Sequence, residues 1–387
     1  MRVVTVLTSL GVGGAEKQAL AVAERMAKRG HEVAVLVLRA QLPQEWPTTL
    51  PVVHLDIHGM RENPTNLVPG FLRARRFLRD FRPEVVHSHS FHANLLARVL
   101  RMSAAIRAPT GVPRAAVVST VHNVYEGSWM RMLAYRLTDG WSDCSVAVSE
   151  AAAERFVRLK AIPGSKCKVR ANGIDSVEFA TDSERRAATR KAMGAASSFV
   201  WLSAGRVTPA KDFPNLLRAF AIVRREAPDT ELWIAGALLD AKEIIAANGI
   251  KCDVPSKDAR YGDSECVRWL GLRRDMPALM DAADGFVMAS AWEGMPLVLG
   301  EAMAMEKPVV ATDVGGVREL VDDCGAIVPA KNPKVLATAM LETMRQSREE
   351  DAQLRLKARE RIVREFSIDA AADWWEALYK QGIGSSQ

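Results

Sequence analysis

The sequence predicts an α/β protein built from two doubly wound parallel-sheet domains. Short runs of Val, Leu and Ile alternate with amphipathic segments whose apolar residues recur every three or four positions. Such runs are typical of strands buried on both faces of a parallel sheet, and the segments between them are typical of crossover helices. The alternation stops near residue 175 and then starts again, and 387 residues are enough for two domains with separate cores.

The first series of elements predicts an N-terminal domain over residues 1–175. Its strands are expected at 3–8, 32–38, 85–88, 116–120, 144–148 and 168–171, and its clearest helices at 15–29, 71–81 and 93–102. The apolar start of the chain is too short for a signal peptide and leads into a glycine loop, so it is interpreted as the first core strand.

A polar stretch at 175–198 resembles a linker, and the second series of elements follows it. The C-terminal domain is predicted over residues 176–365, which include most of this stretch. Strands are expected at 199–205, 231–235, 267–270, 285–289, 308–312 and 326–328, with helices at 212–227, 240–248 and 275–282 and one that ends at 305. Residues 251–265 lack any periodicity and indicate an exposed insertion. The aromatic segment 366–387 is expected to cross back onto the first domain or to cap the second.

Composition and charge restrict the classes of function. Five cysteines without CxxC spacing favour a reduced, cytoplasmic compartment and no structural zinc. No stretch reaches the roughly 18 apolar residues of a membrane-spanning helix. The segments 71–82 and 129–136 interleave arginine with apolar residues, a pattern that permits contact with an anionic membrane, although a charged outer helix face is the commoner explanation. Neither segment belongs to a nucleic-acid recognition fold, so no nucleic-acid partner is expected.

The most informative motif is AWEGMPLVLGE at residues 291–301, where a predicted strand leads through a turn into a helix. Its two carboxylates, Glu293 and Glu301, lie eight residues apart. Between them lie the turn and the first helical residues, Gly294, Met295, Pro296, Leu297 and Val298. Pro296 suits the first helical position, and the N–H groups that follow it form an anion site. Acids on both sides of an anion site suit a ligand with a central diphosphate and hydroxyl groups at both ends, as in a nucleotide sugar.

Two further loops supply groups that suit a diphosphate. Gly13 and Gly14 follow the first strand and open a helix that carries Glu16, although their spacing is not that of the dinucleotide fingerprint. A glycine cluster that only forms a turn is the alternative. Arg206 and Lys211, five residues apart after the first strand of the second series, can both reach one diphosphate.

Histidines and a second basic loop also follow predicted strands. The histidines of the first series are His87, His89, His92 and His122, the last preceding Asn123. They lack metal-ligand spacing, and histidines at strand ends orient hydroxyl groups or move protons about as often as they are structural. In the second series, Leu272 and Arg273 are positioned to read and cover a nucleobase, although a surface turn is the commoner explanation for such a segment.

Together these motifs resemble the retaining nucleotide-sugar glycosyltransferases of family 4, whose GT-B fold places two Rossmann-like domains around a central cleft. The resemblance covers nearly the whole chain, and its specific part is the spaced pair of glutamates around Gly-x-Pro-Leu-Val. It implies that Arg206 and Lys211 hold the donor diphosphate, that Glu301 binds the ribose, and that Glu293 binds the transferred sugar. His122 would contact that sugar near the reacting carbon.

The resemblance also assigns roles to the remaining candidates. Gly13 and Gly14 would close over the phosphates, and Glu16, His89 and Asn123 are candidates for the acceptor side. No metal or other cofactor is expected, because the cations and the helix terminus neutralise the diphosphate. Retention would follow from same-face attack in which the leaving phosphate takes the acceptor's proton. The chain departs from the family pattern at one position, where Asp212 replaces the usual glycine after the lysine.

The expected function is transfer of a hexose to a lipid-linked or saccharide acceptor during synthesis of cell-surface polysaccharide or glycolipid. A UDP-sugar is the preferred donor, with a GDP-sugar as the second choice. The expected location is the cytoplasm, including the inner face of the cytoplasmic membrane. The alternatives are a GT-B epimerase or hydrolase that acts on nucleotide sugars, and a non-catalytic protein that only binds them.

Overall fold

The structure is a computed structural model that describes residues 1–42, 45–57, 66–102, 115–195, 197–236, 266–346 and 348–384. The chain divides into two compact units. Unit 1 comprises Met1–Gly173 together with Ile368–Gln387, and unit 2 comprises Ile174–Ser367. The helix expected at 240–248 and the insertion expected at 251–265 lie outside the described residues.

Unit 1 is built on a parallel sheet. Its strands are β1 (Arg2–Leu7), β2 (Glu32–Val37), β3 (Val52–His54), β4 (Val85–His89), β5 (Ala116–Val121), β6 (Cys144–Ala147) and β7 (Cys167–Val169). The α-helices among the described residues up to Gly173 are α1 (Gly14–Lys28), α2 (Leu67–Phe81), α3 (Phe91–Met102), α4 (Trp129–Thr138) and α5 (Glu150–Arg158). The strand order is β3-β2-β1-β4-β5-β6-β7. Strand β3 was not predicted, because three residues are too few to show a period.

Unit 2 repeats this architecture. Its strands are β8 (Phe199–Ala204), β9 (Thr230–Ala235), β10 (Val267–Gly271), β11 (Gly285–Met288), β12 (Val309–Thr312) and β13 (Ala326–Val328), in the order β10-β9-β8-β11-β12-β13. Its helices are α6 (Ser183–Ala192), α7 (Phe213–Glu226), α8 (Met276–Ala282), α9 (Leu297–Ala304), α10 (Val317–Val321), α11 (Pro333–Arg345) and α12 (Arg348–Glu365). The two parallel sheets confirm the predicted fold class.

The last helix, α13 (Ile368–Gly384), belongs to unit 1. Trp375 and Tyr379, which are 4% and 1% exposed, pack with Val3, Val85 and Val118 from three strands of the sheet. The aromatic side chains therefore cover one face of the first sheet.

The interpretation of residues 175–198 as a linker was wrong. Within this stretch Asp182 caps helix α6 by accepting hydrogen bonds from the first-turn N–H groups. The helix is then tied to unit 2, because Arg185 pairs with Asp281 and both Arg186 and Arg190 pair with Asp284. These partners lie about a hundred residues away in the sequence and could not be seen in local composition.

Within the described ranges, no helix combines the length and the apolar character that crossing a bilayer requires.

Candidate functional site

In the second sheet, the direction in which successive strands are added reverses between the neighbouring strands β8 and β11. From β8 the chain continues to β9 on one side, whereas from β11 it continues to β12 on the other. The loops that follow β8 and β11 therefore separate at the carboxyl edge of the sheet. Doubly wound sheets bind ligands at such a point.

The side chains of Lys211 and Glu293 meet between these two loops. Lys211 Nζ lies 2.6 Å from Glu293 Oε1, and the two side chains are only 20% and 12% exposed. The hydroxyl of Ser290 donates to the same oxygen at 2.7 Å, and the hydroxyl of Thr312 donates to the Ser290 carbonyl at 2.6 Å. Glu293 Oε2 accepts no hydrogen bond from the part of the chain that the structure describes. One oxygen is therefore held in place while the other remains available to a ligand hydroxyl.

Two close contacts between backbone segments position the loops that carry Lys211 and Glu293. The Ala291 N–H donates to the Ala210 carbonyl at 2.7 Å and so joins the two loops directly. Gly315 lies against the backbone of Glu293, where an added Cβ would be 2.0 Å from the Glu293 carbonyl oxygen. Its φ of +54° also favours glycine. Sequence reasoning missed both Gly315 and Ser290, although Ser290 directly follows the predicted strand and lies three residues before Glu293.

Helix α9 begins at Leu297, so the prediction that Pro296 occupies the first helical position was wrong. Pro296 is the N-cap, and its backbone is extended, with φ −76° and ψ 110°. The first-turn N–H groups of Leu297 and Val298 have no intrahelical acceptor. Glu301 follows one turn later and is 6% exposed. The preceding turn is anchored by the Gly294 carbonyl, which accepts from a backbone N–H in the loop after β12, and Gly294 and Met295 are buried.

Arg206 and Asp212 bracket the loop after β8. The Arg206 side chain is exposed and forms no ion pair with any described residue. Asp212 adopts the left-handed conformation, φ 42° and ψ 49°, which a glycine would adopt freely. Its carboxylate accepts a hydrogen bond from the Asn215 N–H and so caps helix α7. Compared with the usual glycine, Asp212 therefore adopts this conformation less freely, but its side chain caps helix α7.

Arg273 lies at the carboxyl end of β10 and is fixed by Asp275. Its Nε donates to Asp275 Oδ1 at 2.7 Å, and a second nitrogen pairs with Oδ2. This hydrogen-bonded pair lowers the pKa of the Asp275 carboxyl. Leu272 beside it is half-buried. The plane of the Arg273 guanidinium thus has a defined orientation. A group that stacks over a nucleobase needs such an orientation.

In unit 1, Gly13 precedes helix α1 and Gly14 is the first residue of that helix. The carboxylate of Glu16 folds back over the helix start, where a Cβ on Gly13 would lie 2.3 Å from Glu16 Oε2. Ser9 donates to the other oxygen of Glu16 at 3.5 Å. The N-terminus of helix α1 is therefore already covered by the carboxylate of Glu16, a residue of the same helix.

Three of the predicted histidines form one buried cluster at the carboxyl ends of β4 and β5. His89 Nδ1 and His122 Nε2 share a hydrogen bond of 3.0 Å, while His87 contacts the hydroxyl groups of Tyr379 and Thr120 at 2.6 and 2.7 Å. Burial lowers the pKa of His87 to about 3, with a smaller contribution from His122, and lowers that of His122 to about 4. Burial also lowers the pKa of His89. The cluster is therefore neutral at pH 7.

Each histidine of the hydrogen-bonded pair keeps one ring nitrogen without a partner among the described residues, namely His89 Nε2 and His122 Nδ1. By contrast, the His92 side chain lies outside this cluster's hydrogen bonds and is exposed. Asn123 shapes the next turn, since its Oδ1 accepts from the Tyr125 N–H at 3.1 Å.

Glu126, in the same loop, was not singled out from the sequence. Its Oε2 is buried without a partner among the described residues, and burial raises the pKa of this carboxyl to about 7. A hydrogen bond from the Tyr135 hydroxyl acts in the opposite direction. No sequence signal marks such a residue, because the shift arises from burial in the folded protein. Across the described residues, no three His, Cys, Asp or Glu side chains are grouped to hold a metal ion.

Comparisons with known proteins agree with the geometry. The family model "Glycosyltransferase Family 4" matches residues 12–178, and the model "Glycosyl transferases group 1" matches residues 198–346. Together they cover most of both units, and the second includes the Lys211–Glu293 pair.

Individual relatives are distant. Alpha-D-kanosaminyltransferase of Streptomyces kanamyceticus is 24% identical over 80% of each chain. UDP-Gal:alpha-D-GlcNAc-diphosphoundecaprenol alpha-1,3-galactosyltransferase of Escherichia coli is 26% identical over 62% of this chain and 60% of the relative. Among solved structures, Anabaena HepE in complex with UDP and glucose superposes with a TM-score of 0.82 at 21% identity, over 98% of this chain and 100% of HepE. At that identity the likeness establishes the fold alone.

Proposed function

Because the chain belongs to the family 4 glycosyltransferases of GT-B fold, we propose that it transfers a hexose from a nucleotide sugar with retention of anomeric configuration. The observation that carries this proposal is the half-buried Lys211–Glu293 pair. It lies between the loops after β8 and β11, where the strand order of the second sheet reverses. A cation and an acid held side by side suit the junction between the diphosphate and the sugar of one donor.

Each group has a distinct task in this proposal. Lys211 and Arg206 neutralise the diphosphate, and the first N–H groups of α9 add hydrogen bonds to it. Glu293 Oε2 accepts a hydrogen bond from a hydroxyl of the transferred sugar while Ser290 holds Oε1. Glu301 binds the ribose, and the oriented guanidinium of Arg273 covers the base.

The transfer step proceeds on one face of the sugar. The bond between the anomeric carbon and the diphosphate oxygen breaks, and a bond to the acceptor oxygen forms from the same side. The acceptor's proton passes to the departing phosphate oxygen, so no protein nucleophile is needed. In this proposal the neutral His122 contacts a hydroxyl of the transferred sugar, and His89, its hydrogen-bond partner, is a residue of the acceptor side.

A UDP-sugar is the donor we favour. HepE binds UDP and glucose, and the E. coli relative is named for transfer from UDP-Gal. That relative also acts on a diphosphoundecaprenol-linked sugar, which supports a lipid-linked or saccharide acceptor and a role in cell-surface polysaccharide or glycolipid synthesis. We place the enzyme at the inner face of the cytoplasmic membrane, and we propose that transfer needs no metal. Activity that survives EDTA would support the last point, and activity restored by Mg²⁺ or Mn²⁺ would contradict it.

The decisive experiment measures transfer of radiolabelled sugar from UDP-glucose and related donors to a bacterial lipid extract. Arg206→Ala and Lys211→Ala should each lower transfer by at least about 10²-fold, as for other lost charge-stabilising groups. Lys334→Ala is the matched control, because Lys334 is an exposed lysine of the same unit.

Other outcomes separate the alternatives. Release of free sugar or a changed sugar without acceptor indicates a hydrolase or an epimerase. Binding that raises the melting temperature without turnover of any donor indicates a protein that only binds nucleotide sugars.

A further inference from the structure

Four polar residues of the first sheet lie on the face that the last helix covers. Along β4, His87 and His89 are two positions apart, and Thr120 and His122 have the same spacing at the end of β5 and just beyond it. Side chains two positions apart in a strand point to the same face of the sheet. Helix α13 packs on this face, and its Tyr379 hydroxyl lies 2.6 Å from His87 Nδ1, although 292 residues separate the two in the sequence. The last helix therefore reaches the cluster that contains His122.

His87 has no ring nitrogen available to a ligand. Its two nitrogens are hydrogen-bonded to the hydroxyl of Tyr379 and, at 2.7 Å, to that of Thr120. The His87 ring also packs against the rings of Trp375 and His89, with centroid distances of 4.3 and 4.0 Å. His87 is 1% exposed. These contacts suit a supporting role, in which the fixed ring of His87 holds the ring of His89.

The hydrogen bond between His89 and His122 couples the tautomers of the two rings. A neutral imidazole has one N–H donor and one bare nitrogen that accepts. Only one proton can lie between His89 Nδ1 and His122 Nε2, which are 3.0 Å apart. If His89 donates this proton, the N–H of His122 is on Nδ1, whereas if His122 donates it, Nδ1 of His122 is bare. The tautomer of His89 therefore decides whether the second nitrogen of His122 is a donor or an acceptor.

The burial of the two residues favours one of these arrangements. In either case one outer N–H is left over, on His89 Nε2 or on His122 Nδ1, and neither atom has a partner among the described residues. A buried N–H without an acceptor is unfavourable, so the less buried residue should carry it. His89 is 3% exposed, whereas His122 is half-buried. We therefore expect His89 to donate and both rings to carry their proton on Nδ1.

We propose that His87 and Tyr379 are positioning residues, which act through His89 to hold His122 in one tautomer and one orientation. Tyr379 keeps the His87 ring in place, the His87 ring packs against that of His89, and the N–H of His89 fixes His122. The inference rests on the proposed function in one respect, since His122 is the residue proposed to contact the transferred sugar. The last helix of the chain thereby supports the site from behind the first sheet.

Tyr379→Phe tests the outer end of this series, because it removes the hydroxyl and keeps the ring. The kcat of sugar transfer should fall about tenfold, while the affinity for UDP, measured by calorimetry, should keep its wild-type value. Ser88→Ala is the matched control. Ser88 is fully buried on the same strand as His87 but on the opposite face, where its hydroxyl donates to the Val118 carbonyl at 3.1 Å. Both variants should melt at a lower temperature than the wild type, and Ser88→Ala should keep full transfer.

His89→Asn and His89→Ala test the inner hydrogen bond. The amide of Asn lies where Nδ1 of histidine lies and can still bond to His122 Nε2, whereas Ala cannot. Any contact of His89 itself with the acceptor is lost in both variants. The kcat of H89N should therefore exceed that of H89A by about tenfold, which measures the bond to His122 alone.

Nitrogen NMR on protein with isotope-labelled histidine reads the tautomers without any turnover. At neutral pH the wild type should show His89 and His122 each protonated on Nδ1, and the variant H122N identifies the signals of His122. In Y379F the His122 signals should move towards an average of the two tautomers, whereas in S88A they should stay unchanged.

The outcomes separate this proposal from the proposed function. Wild-type signals of His122 in Y379F, or an equal loss of transfer in Y379F and S88A, overturn the positioning role of Tyr379. Equal transfer by H89N and H89A shows that the bond from His89 does not hold His122. If the wild type turns over no donor, the proposed function fails, while the NMR signals still decide whether His87 and Tyr379 fix the tautomer of His122.

Discussion

Lys211 Nζ lies 2.6 Å from Glu293 Oε1, although 82 residues separate the two in the sequence. The pair joins the group proposed to hold the diphosphate to the group proposed to hold the sugar. A diphosphate that binds Lys211 must therefore share this cation with Glu293. Phosphate and carboxylate repel each other, so the pair opposes the binding of a donor fragment that lacks the sugar.

This competition predicts opposite effects of Glu293→Gln on two ligands. UDP should bind about tenfold more tightly, a change of about 1.4 kcal/mol, because Lys211 no longer has an anionic partner. Sugar transfer should fall by at least about 10²-fold, because the hydroxyl of the sugar loses its charged acceptor. Calorimetry with UDP and a transfer assay measure the two effects.

Lys211→Ala is the matched comparison, since it should weaken both UDP binding and transfer. Equal losses of UDP affinity in E293Q and K211A would contradict the competition. A double variant should show that the two effects are coupled, as expected for residues in contact.

Asp212 supplies a second prediction, about the loop after β8. Replacement by Ala should destabilise the protein by about 1–2 kcal/mol, because the cap is lost while a Cβ remains in the left-handed region. Replacement by Gly should leave the stability nearly unchanged, because glycine adopts the left-handed conformation without strain and this gain offsets the lost cap. Asp212→Asn should keep the stability and lower the KM for the donor, because a negative charge next to Lys211 is removed. Thermal melts and donor titrations test this set, and equal melting temperatures for the Ala and Gly variants would refute it.

The sequence allowed the sheets to be predicted because apolar runs reflect local burial. The glutamate motif, residues 291–301, was also predictable, because its turn and helix are neighbours in the chain. The adjacency of β8 and β11 depends on the order of strands across the sheet, which periodicity does not contain. The contact of Lys211 with Glu293 follows from that adjacency.

The errors have related physical causes. Helix α6 was interpreted as linker because its stabilising partners, Asp281 and Asp284, are remote in sequence. Pro296 was assigned to the wrong helical position, because the choice between N-cap and first turn depends on ψ. Glu126 was overlooked, since a carboxylate acquires a raised pKa only when the fold buries it.

Gly315 provides a third prediction. It distinguishes the effect of a steric clash at this position from the effect of placing a side chain on a backbone with positive φ. In Gly315→Ala the new Cβ would lie 2.0 Å from the Glu293 carbonyl oxygen, so the glutamate loop must move. A displacement of about 1 Å at the site should lower transfer by about 10²-fold. Gly194→Ala is the matched control, because Gly194 has φ +66° in the same unit and nothing within 4 Å of the new Cβ. It should lose about 1 kcal/mol of stability with full activity; equal activity of the two variants would show that Gly315 does not hold the loop.

The buried His87 supplies the last prediction, on the stability of unit 1 in acid. Its pKa of about 3 lies below the ordinary 6.5, so between these values the unfolded chain binds a proton that the folded protein does not. The stability due to neutral His87 is therefore complete above about pH 6.5 and declines as the pH falls towards 3. His122, with a pKa of about 4, acts in the same direction.

His87→Asn removes one of these titrating groups while its amide can still reach Tyr379. The variant should melt at a lower temperature than the wild type at pH 7.5, because part of the hydrogen bonding of His87 is lost. Its melting temperature should then fall less steeply between about pH 6.5 and pH 4, since one fewer proton is taken up on unfolding. If His87→Asn keeps the wild-type slope, the acid sensitivity of unit 1 comes from groups other than His87.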